Sequence, residues 1–442
     1  EKTAVRQKII EIYETAQKGL LLKNQKNCSL CGKSDYPVED IPHGMIKKVP
    51  EGQSSGCALV SYNENAFESY ELKGNNNSAI CTNCAKTYVE GLNYLLSSGN
   101  EVVVKNKNGK EKKVFRYSNR KNFGKDTATV FWTRTNNKLP EIDQLEAPDP
   151  DDVARLIESL TSGIERDSRY LEPDQFYSCT LSGAAARISM RDWIETSLID
   201  FRKSIAQWFQ DIAIDEYNGD LKKTKTHYAR LYDLARSCQR TNEDGKADKQ
   251  DASLARVAVF LWNGALKNAA PPLWILTKVL QRARLDKYGV TADRAALIKL
   301  ILNRYNKGGE FMISEKNEEG SRPTAYVCGQ IFAKLESIQY AALKDLNAGI
   351  RERYFTYAMT SPAPAFGRIF NLNSKHFTKL KSDKPGLAIT LDKELQELCK
   401  DIDINNFPAT FSLEQQGQFA IGYYHQRQKQ FNSSTKNKTE EE

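Results

Sequence analysis

Four cysteines stand in two pairs, Cys28-x-x-Cys31 and Cys81-x-x-Cys84. Two such pairs supply the four thiolates that zinc takes up in closed tetrahedral sites. A four-thiolate set leaves no open coordination position, so the chemistry it implies is a structural staple, not a catalytic metal. The 49 residues between the pairs exceed the spacing of a compact zinc ribbon. Two disulfides, or four independent thiols, are the competing readings.

The second chemical feature is charge. From Lys105 to Lys125 run nine basic residues: Lys105, Lys107, Lys110, Lys112, Lys113, Arg116, Arg120, Lys121 and Lys125, opposed only by Glu111. Val102, Val103 and Val104 precede an Asn108-Gly109 turn, and Val114 and Phe115 follow it. Asn-Gly supplies the positive φ of a type I′ hairpin. The pattern predicts a two-stranded basic ribbon able to track phosphates, with Phe115, Tyr117 and Phe123 available for stacking. A solvated edge hairpin whose lysines discourage aggregation is the plainer reading.

Catalytic patterns are sparse. The four histidines (His43, His227, His376, His425) form no HExxH or HxxxH pattern, and the sequence has no nucleophile elbow, P-loop or GxGxxG. His43 follows the first cysteine pair by twelve residues, which leaves an HNH-like zinc-stapled nuclease as an alternative. That alternative needs further metal ligands, and the sequence offers no convincing set.

The elements that must position these residues follow from composition and periodicity. A chain of 442 residues has room for two to four domains. It shows no signal peptide and no membrane-spanning run. Cys57, Cys179, Cys238, Cys328 and Cys399 lack paired spacing, which suits a reducing cytoplasm. Net charge is +8, from 64 basic and 56 acidic residues, and its local clustering matters more than the total.

The expected fold is α+β: a zinc-stapled mixed α/β N-terminal portion followed by an all-helical C-terminal bundle. Residues 1–135 read as the zinc-stapled mixed domain with the basic hairpin. They comprise a helix over 1–20, a strand ALVSYN at 58–63, a helix at 85–96 and a strand TATVFW at 127–132. A Pro- and Asp-rich linker covers 136–152, with a helix from Asp151 to about Leu160. Residues 150–238 read as an α+β domain with strands FYSCTLSG and ARISMRDW and an amphipathic helix LIDFRKSIAQWFQDI. Residues 239–252 have almost no apolar side chains and mark a boundary.

The bundle spans 252–430, with helices at 252–268, 273–288, 291–306, 323–350, 390–400 and 411–430. The last opens on a Ser412/Gln415 capping box. Arg351, Arg353, Arg368, Arg427 and Lys429 read as its surface cations. Residues 431–442 read as a disordered tail.

Five blocks carry a family resemblance. They are EGQSSGCALVSYNENAFESYELKGNNNSAICTNCAKTYVEGLNYLL at 51–96, KDTATVFWTR at 125–134, FYSCTLSGAAARISMRDW at 176–193, AYVCGQIFAKLESIQYAAL at 325–343 and FSLEQQGQFAIGYYHQRQ at 411–428. In this order they resemble the large subunit of type I-C CRISPR Cascade complexes. That family's large subunit carries a further segment ahead of this point, so an N-terminal part is expected to be absent here. The hairpin at 101–122 is longer and more basic than the family's usual connection.

The resemblance implies a non-enzymatic subunit of a crRNA-guided antiviral DNA surveillance complex in a prokaryotic cytoplasm. Its partners would be the crRNA-bearing backbone subunits, target double-stranded DNA and a helicase-nuclease effector. It would recognise the protospacer-adjacent motif, stabilise the displaced strand and dock the effector, while RNA pairing reads the sequence. A stand-alone zinc-dependent nucleic-acid or protein adaptor remains the other alternative.

Within that frame, Gly52, Gln53, Ser54 and Ser55, closed by Gly56, form a small polar loop able to approach a groove. Gln53 is suited to base edges, and a simple turn is the competing reading. Asn63 follows as support. Arg187 and Arg191 share one strand face with Ser189 by two-residue periodicity and suit phosphate, or an ion pair with Asp192 or Glu195. Gln426, Arg427, Gln428 and Lys429 end the last helix and suit contact with single-stranded DNA, with complementing the helix dipole as the competing role of its cations. Met312 follows Lys307-Gly308-Gly309-Glu310, whose codons can spell a ribosome-binding sequence. The part about 312–430 is therefore expected to be made separately as a small subunit.

Overall fold

The structure is a computed structural model. It describes residues 2–20, 25–34, 36–37, 39, 41–105, 109, 111–162, 174–240, 253–287, 289–309, 311–317, 320, 322–343 and 348–439. The chain divides into two units: Glu1–Asn137 with Asp174–Thr196, and Lys138–Pro173 with Ser197–Glu442. This is the expected α+β class, a mixed region followed by helices.

The first unit begins with α1 (Lys2–Leu20), β1 (Gln25–Lys26) and β2 (Tyr36–Pro37). Helix α2 (Thr82–Ser97) follows, then the antiparallel ribbon of β3 (Gly99–Lys105) and β4 (Glu111–Tyr117). A four-stranded sheet has the order β5 (Arg120–Phe123), β6 (Thr127–Thr133), β7 (Gln175–Ala184), β8 (Arg187–Ser197). Its core packs Ala128 and Val130 of β6 and Cys179 and Leu181 of β7 with Ile46, Cys57 and Leu96. Alternate side chains of paired strands share a face, so Val130 opposite Cys179 and Ala128 opposite Leu181 form one apolar layer.

Two expectations fail in this unit. Residues 58–63 form no strand: Cys57 and Ala58 make isolated bridges to Ile46 and Arg187, because this segment bends around the β7–β8 turn instead of extending along a ladder. The proposed middle domain 150–238 is also divided. Strand β7 pairs with β6 and β8 lies beyond β7, so both continue the β5–β6 sheet, whereas the helix after Ser197 belongs to the second unit.

The second unit contains α3 (Pro140–Glu146), which lies inside the expected linker and starts on a proline at its first turn. Then come α4 (Pro150–Ser162), α5 (Leu198–Ile212), the hairpin β9 (Ile214–Asn218) and β10 (Lys223–His227), and α6 (Leu231–Arg236). The predicted stripe of α5 is core: Leu198, Phe201, Ile205, Trp208, Phe209 and Ile212 are all buried. Helices α7 (Ser253–Lys267), α8 (Leu273–Leu285), α9 (Ala292–Tyr305), α10 (Thr324–Ala342), α11 (Ile350–Thr360), α12 (Pro362–Asp383), α13 (Pro385–Cys399) and α14 (Leu413–Thr439) complete it.

The helix expected over 323–350 is α10, which ends at Ala342, and α11 and α12 lie where none was expected. The capping box is present: the Ser412 N–H donates to Gln415 Oε1 at 2.9 Å and the Gln415 N–H to Ser412 Oγ at 3.2 Å. Helix α14 continues to Thr439, through much of the tail expected to be disordered. No Gly or Pro after Gly422 stops it. The boundary at 239–252 lies mostly outside the described residues. No described helix is long and apolar enough to cross a membrane.

Candidate functional site

The two cysteine pairs meet. The sulfur atoms of Cys28, Cys31, Cys81 and Cys84 lie within 4.8 Å of one another, and Cys31 Sγ is 3.9 Å from Cys81 Sγ. Four sulfurs at Zn–S distances of about 2.3 Å in a tetrahedron would stand about 3.8 Å apart. The donor set therefore fits a tetrahedral thiophilic metal.

Local structure supports thiolates there. Cys81 caps the N-terminus of α2, its sulfur accepting the Cys84 N–H at 3.4 Å, and the Cys81 N–H donates to Cys28 Sγ at 3.4 Å. Burial raises the Cys28 thiol, yet backbone N–H donation from Cys31, Cys81 and Leu30 outweighs it and brings the thiol down to about 6. Cys84 moves the other way, its proton held chiefly by the neighbouring Cys81 sulfur. Among the described residues this is the one cluster of three or more metal-ligating side chains.

The metal-competent cluster anchors α2, and α2 in turn holds the chain that leads into the polar loop. His43 Nδ1 lies 2.9 Å from Tyr88 Oη, where a nuclease would need metal ligands, and burial depresses its pKa. The Lys47 N–H donates to Asn93 Oδ1 at 2.7 Å, and Asn93 Nδ2 donates to the Met45 carbonyl at 3.2 Å. Arg120 completes the brace. Its Nη1 donates to the Lys48 carbonyl at 2.8 Å and to the Leu96 carbonyl at 3.0 Å, and its Nε donates to Asn122 Oδ1 at 2.8 Å.

Arg120 is therefore a buried strut and not a ribbon cation, and Lys121 is buried beside it. Pairing of β5 with β6 turns this part of the basic run inward.

Beyond Lys48 the chain forms the loop at Gly52–Gly56. The Gly52 N–H donates to the Val49 carbonyl at 3.1 Å and the Gly56 N–H to the Gln53 carbonyl at 3.0 Å. The side chains of Gln53, Ser54 and Ser55 are exposed and make no hydrogen bond among the described residues. Arg187 comes to the same neighbourhood through the Ala58–Arg187 bridge. Its Nη2 donates to Asn63 Oδ1 at 2.7 Å and to Glu64 Oε1 at 3.2 Å, so Asn63 and Arg187 stand together in space. Arg191 is engaged separately, its Nε donating to Ser182 Oγ at 2.8 Å; neither arginine uses Asp192 or Glu195 in these bonds.

The ribbon is a different element. Lys112, Lys113 and Arg116 are exposed on β4, Lys113 facing Glu101 at 3.7 Å, an exposed pair of little energetic weight. Lys105 is on β3, and Lys107 and Lys110 lie outside the described residues. Phe115 and Tyr117 pack edge to face at 5.0 Å.

Arg427 belongs to the second unit, half-buried in mid-helix. It lies 5.5 Å from each of the Tyr423 and Phe431 rings, and its Nη1 donates to Tyr423 Oη at 3.3 Å. Because α14 runs on to Thr439, the dipole argument for Arg427 and Lys429 does not apply. Arg351 is likewise used internally, donating to the Asp286 and Lys287 carbonyls. Sequence reasoning missed Arg120, Asn93 and the β7–β8 turn, and only Gly183, at the end of β7 beside that turn, offered a signal.

These features define a class: an α+β protein stapled by a metal-competent centre of four cysteines, with a helical unit completing the chain. The family model for the CRISPR-associated protein Cas_Csd1 matches residues 1–431. The chain belongs to that family, the type I-C large subunit of Cascade-type complexes, as the sequence blocks indicated. No curated protein matches it.

Proposed function

We propose that this chain is a non-catalytic large subunit that selects target DNA by a short motif beside the guide-matched sequence. The observation that carries the reading is the Gly52–Gly56 loop: three exposed polar side chains, unengaged among the described residues, at the apex of a braced backbone. Gln53 can both donate to and accept from a base edge, and a good bidentate contact discriminates bases by about 1–3 kcal/mol. The four-cysteine set would hold Zn²⁺ and contribute folding energy.

Lys112, Lys113 and Arg116 on the ribbon, with Lys105, would follow phosphates or the displaced strand. Arg187 would add a cation beside the loop. Backbone subunits bearing the crRNA and a helicase-nuclease are the expected partners, in a prokaryotic cytoplasm. Residues 312–442 would also be translated alone as small subunits; Met312 itself is exposed, between α9 and α10. Absence of any short product after expression of the intact gene would remove that part of the proposal.

The test is co-purification with the neighbouring operon's proteins and guide RNA, then a mobility-shift assay on guide-matched duplexes differing only in the flanking trinucleotide. Binding that depends on both flank and guide is the expected result. Flank-independent binding by the chain alone would leave a metal-stapled, basic adaptor. Divalent-metal-dependent nicking by the isolated chain would favour a nuclease.

A further inference from the structure

Beyond its own two backbone bonds, the Gly52–Gly56 loop is held by the end of β7 and the turn that follows it. The Gly183 N–H donates to the Pro50 carbonyl at 3.0 Å, the Gln53 N–H to the Ala185 carbonyl at 3.2 Å, and the Ala58 N–H to the Ala186 carbonyl at 2.8 Å. The Cys57 thiol donates to the same Ala185 carbonyl at 3.2 Å. A parallel bridge joins Gly52 to Ala185.

The packing leaves no slack. A Cβ on Gly183 would stand 2.5 Å from the Pro50 carbonyl oxygen and 2.6 Å from the Gly52 nitrogen, both backbone atoms. Strain gathers at the same junction: Glu51 and Ala185 hold left-handed φ values of 56° and 53°. Non-glycine residues in that region persist where surrounding contacts over-determine them.

We infer that the β7–β8 turn is the template that sets the loop's register for flank selection, with Gly183 and Cys57 as positioning residues. The inference rests on the proposed role of the loop and deepens it. Preorganisation explains why contacts made by such a small loop would discriminate: the ordering cost of binding is met in the folded chain beforehand.

The experiment compares assembled complexes carrying Gly183→Ala, Cys57→Ala, Ala185→Gly or Gln53→Ala. Each is assayed on guide-matched duplexes with and without the cognate flank, and on a pre-melted target that needs no flank. Gly183→Ala is expected to lower the flank discrimination ratio about tenfold, the scale of one lost base contact, while binding to the pre-melted target stays within about twofold. Ala185→Gly keeps the carbonyl that Gln53 and Cys57 use but frees its backbone, and is expected to lower the ratio in the same direction by less than Gly183→Ala.

A general loss of packing would instead lower assembly and pre-melted binding together. If Gly183→Ala does not assemble, Cys57→Ala reads the same ratio without adding volume. Should Gln53→Ala collapse the ratio while Gly183→Ala and Cys57→Ala both keep it, the template role is overturned and the loop reading stands. An unchanged ratio in Gln53→Ala as well overturns both.

Discussion

Replacing Arg120 by Ala removes three hydrogen bonds at once: those to the Lys48 and Leu96 carbonyls and that to Asn122. It also removes the guanidinium stacked 4.7 Å from the Tyr117 ring centroid. A hydrogen bond from a charged donor contributes about 1.5–3 kcal/mol. Two of these bonds end on backbone carbonyls, at the C-terminal end of α2 and at the shoulder of the loop. Water entering the space left by a residue only 8% exposed recovers part of the loss, so the lower end of the range applies to each carbonyl. The net destabilisation of the first unit is then about 3 kcal/mol, or about 150-fold in its folding constant. For a unit of this size that is a fall in Tm of about 6–12 °C. Scanning calorimetry of the zinc-loaded full chain, with the two units' transitions resolved, reads it directly. Arg120→Lys keeps the charge but loses the fork that reaches both carbonyls, and should fall between Ala and the parent. A first-unit transition in Arg120→Ala within about 1 °C of the parent would refute the strut.

Cys81→Ser, or a strong chelator, should release the bound metal and abolish the first unit's transition, because structural zinc contributes about 10–16 kcal/mol in small domains; metal analysis and calorimetry check it. Replacing Lys112, Lys113 and Arg116 together by Ala should flatten the salt dependence of duplex binding by about 2.7 in log–log slope, three phosphates' worth, without changing flank preference. His227 supplies a pH dependence in the second unit. Burial opposes its charge, but the Asp293 carboxylate at 2.8 Å, with Glu216 and Asp233, outweighs burial and raises its pKa. The stabilisation is full below the unfolded value of about 6.5 and is lost as pH rises through the raised folded pKa. Thermal melts of the parent should therefore show the second unit weakening as pH rises from about 6.5, and His227→Gln should remove that slope.

What could be read from the chain was local. Each cysteine pair announces itself within four residues, the α5 stripe repeats at helical spacing, and Ser412 and Gln415 cap α14 three residues apart. Arg120 could not be read, since its carbonyl partners lie 72 and 24 residues away and its charge alone placed it with the ribbon. The loop's residues were visible as a Gly-flanked polar stretch, but their support was not. Cys57 meets Ala185 across 128 residues, and no local periodicity encodes that contact. The division of residues 150–238 failed for the same reason: β7 joins a sheet whose earlier strands precede two helices. Arg427 failed differently, because the expected helix end was placed by composition and α14 continues past it.

The most direct test of flank reading by this chain places a photoreactive base at each flank position in turn, within the assembled guide-bound complex, and maps the cross-linked peptides. The expected adducts fall on the peptide spanning Gly52–Gly56 and disappear when the guide RNA is omitted. Adducts confined to another subunit, or to the β3–β4 ribbon, would contradict flank reading by the loop.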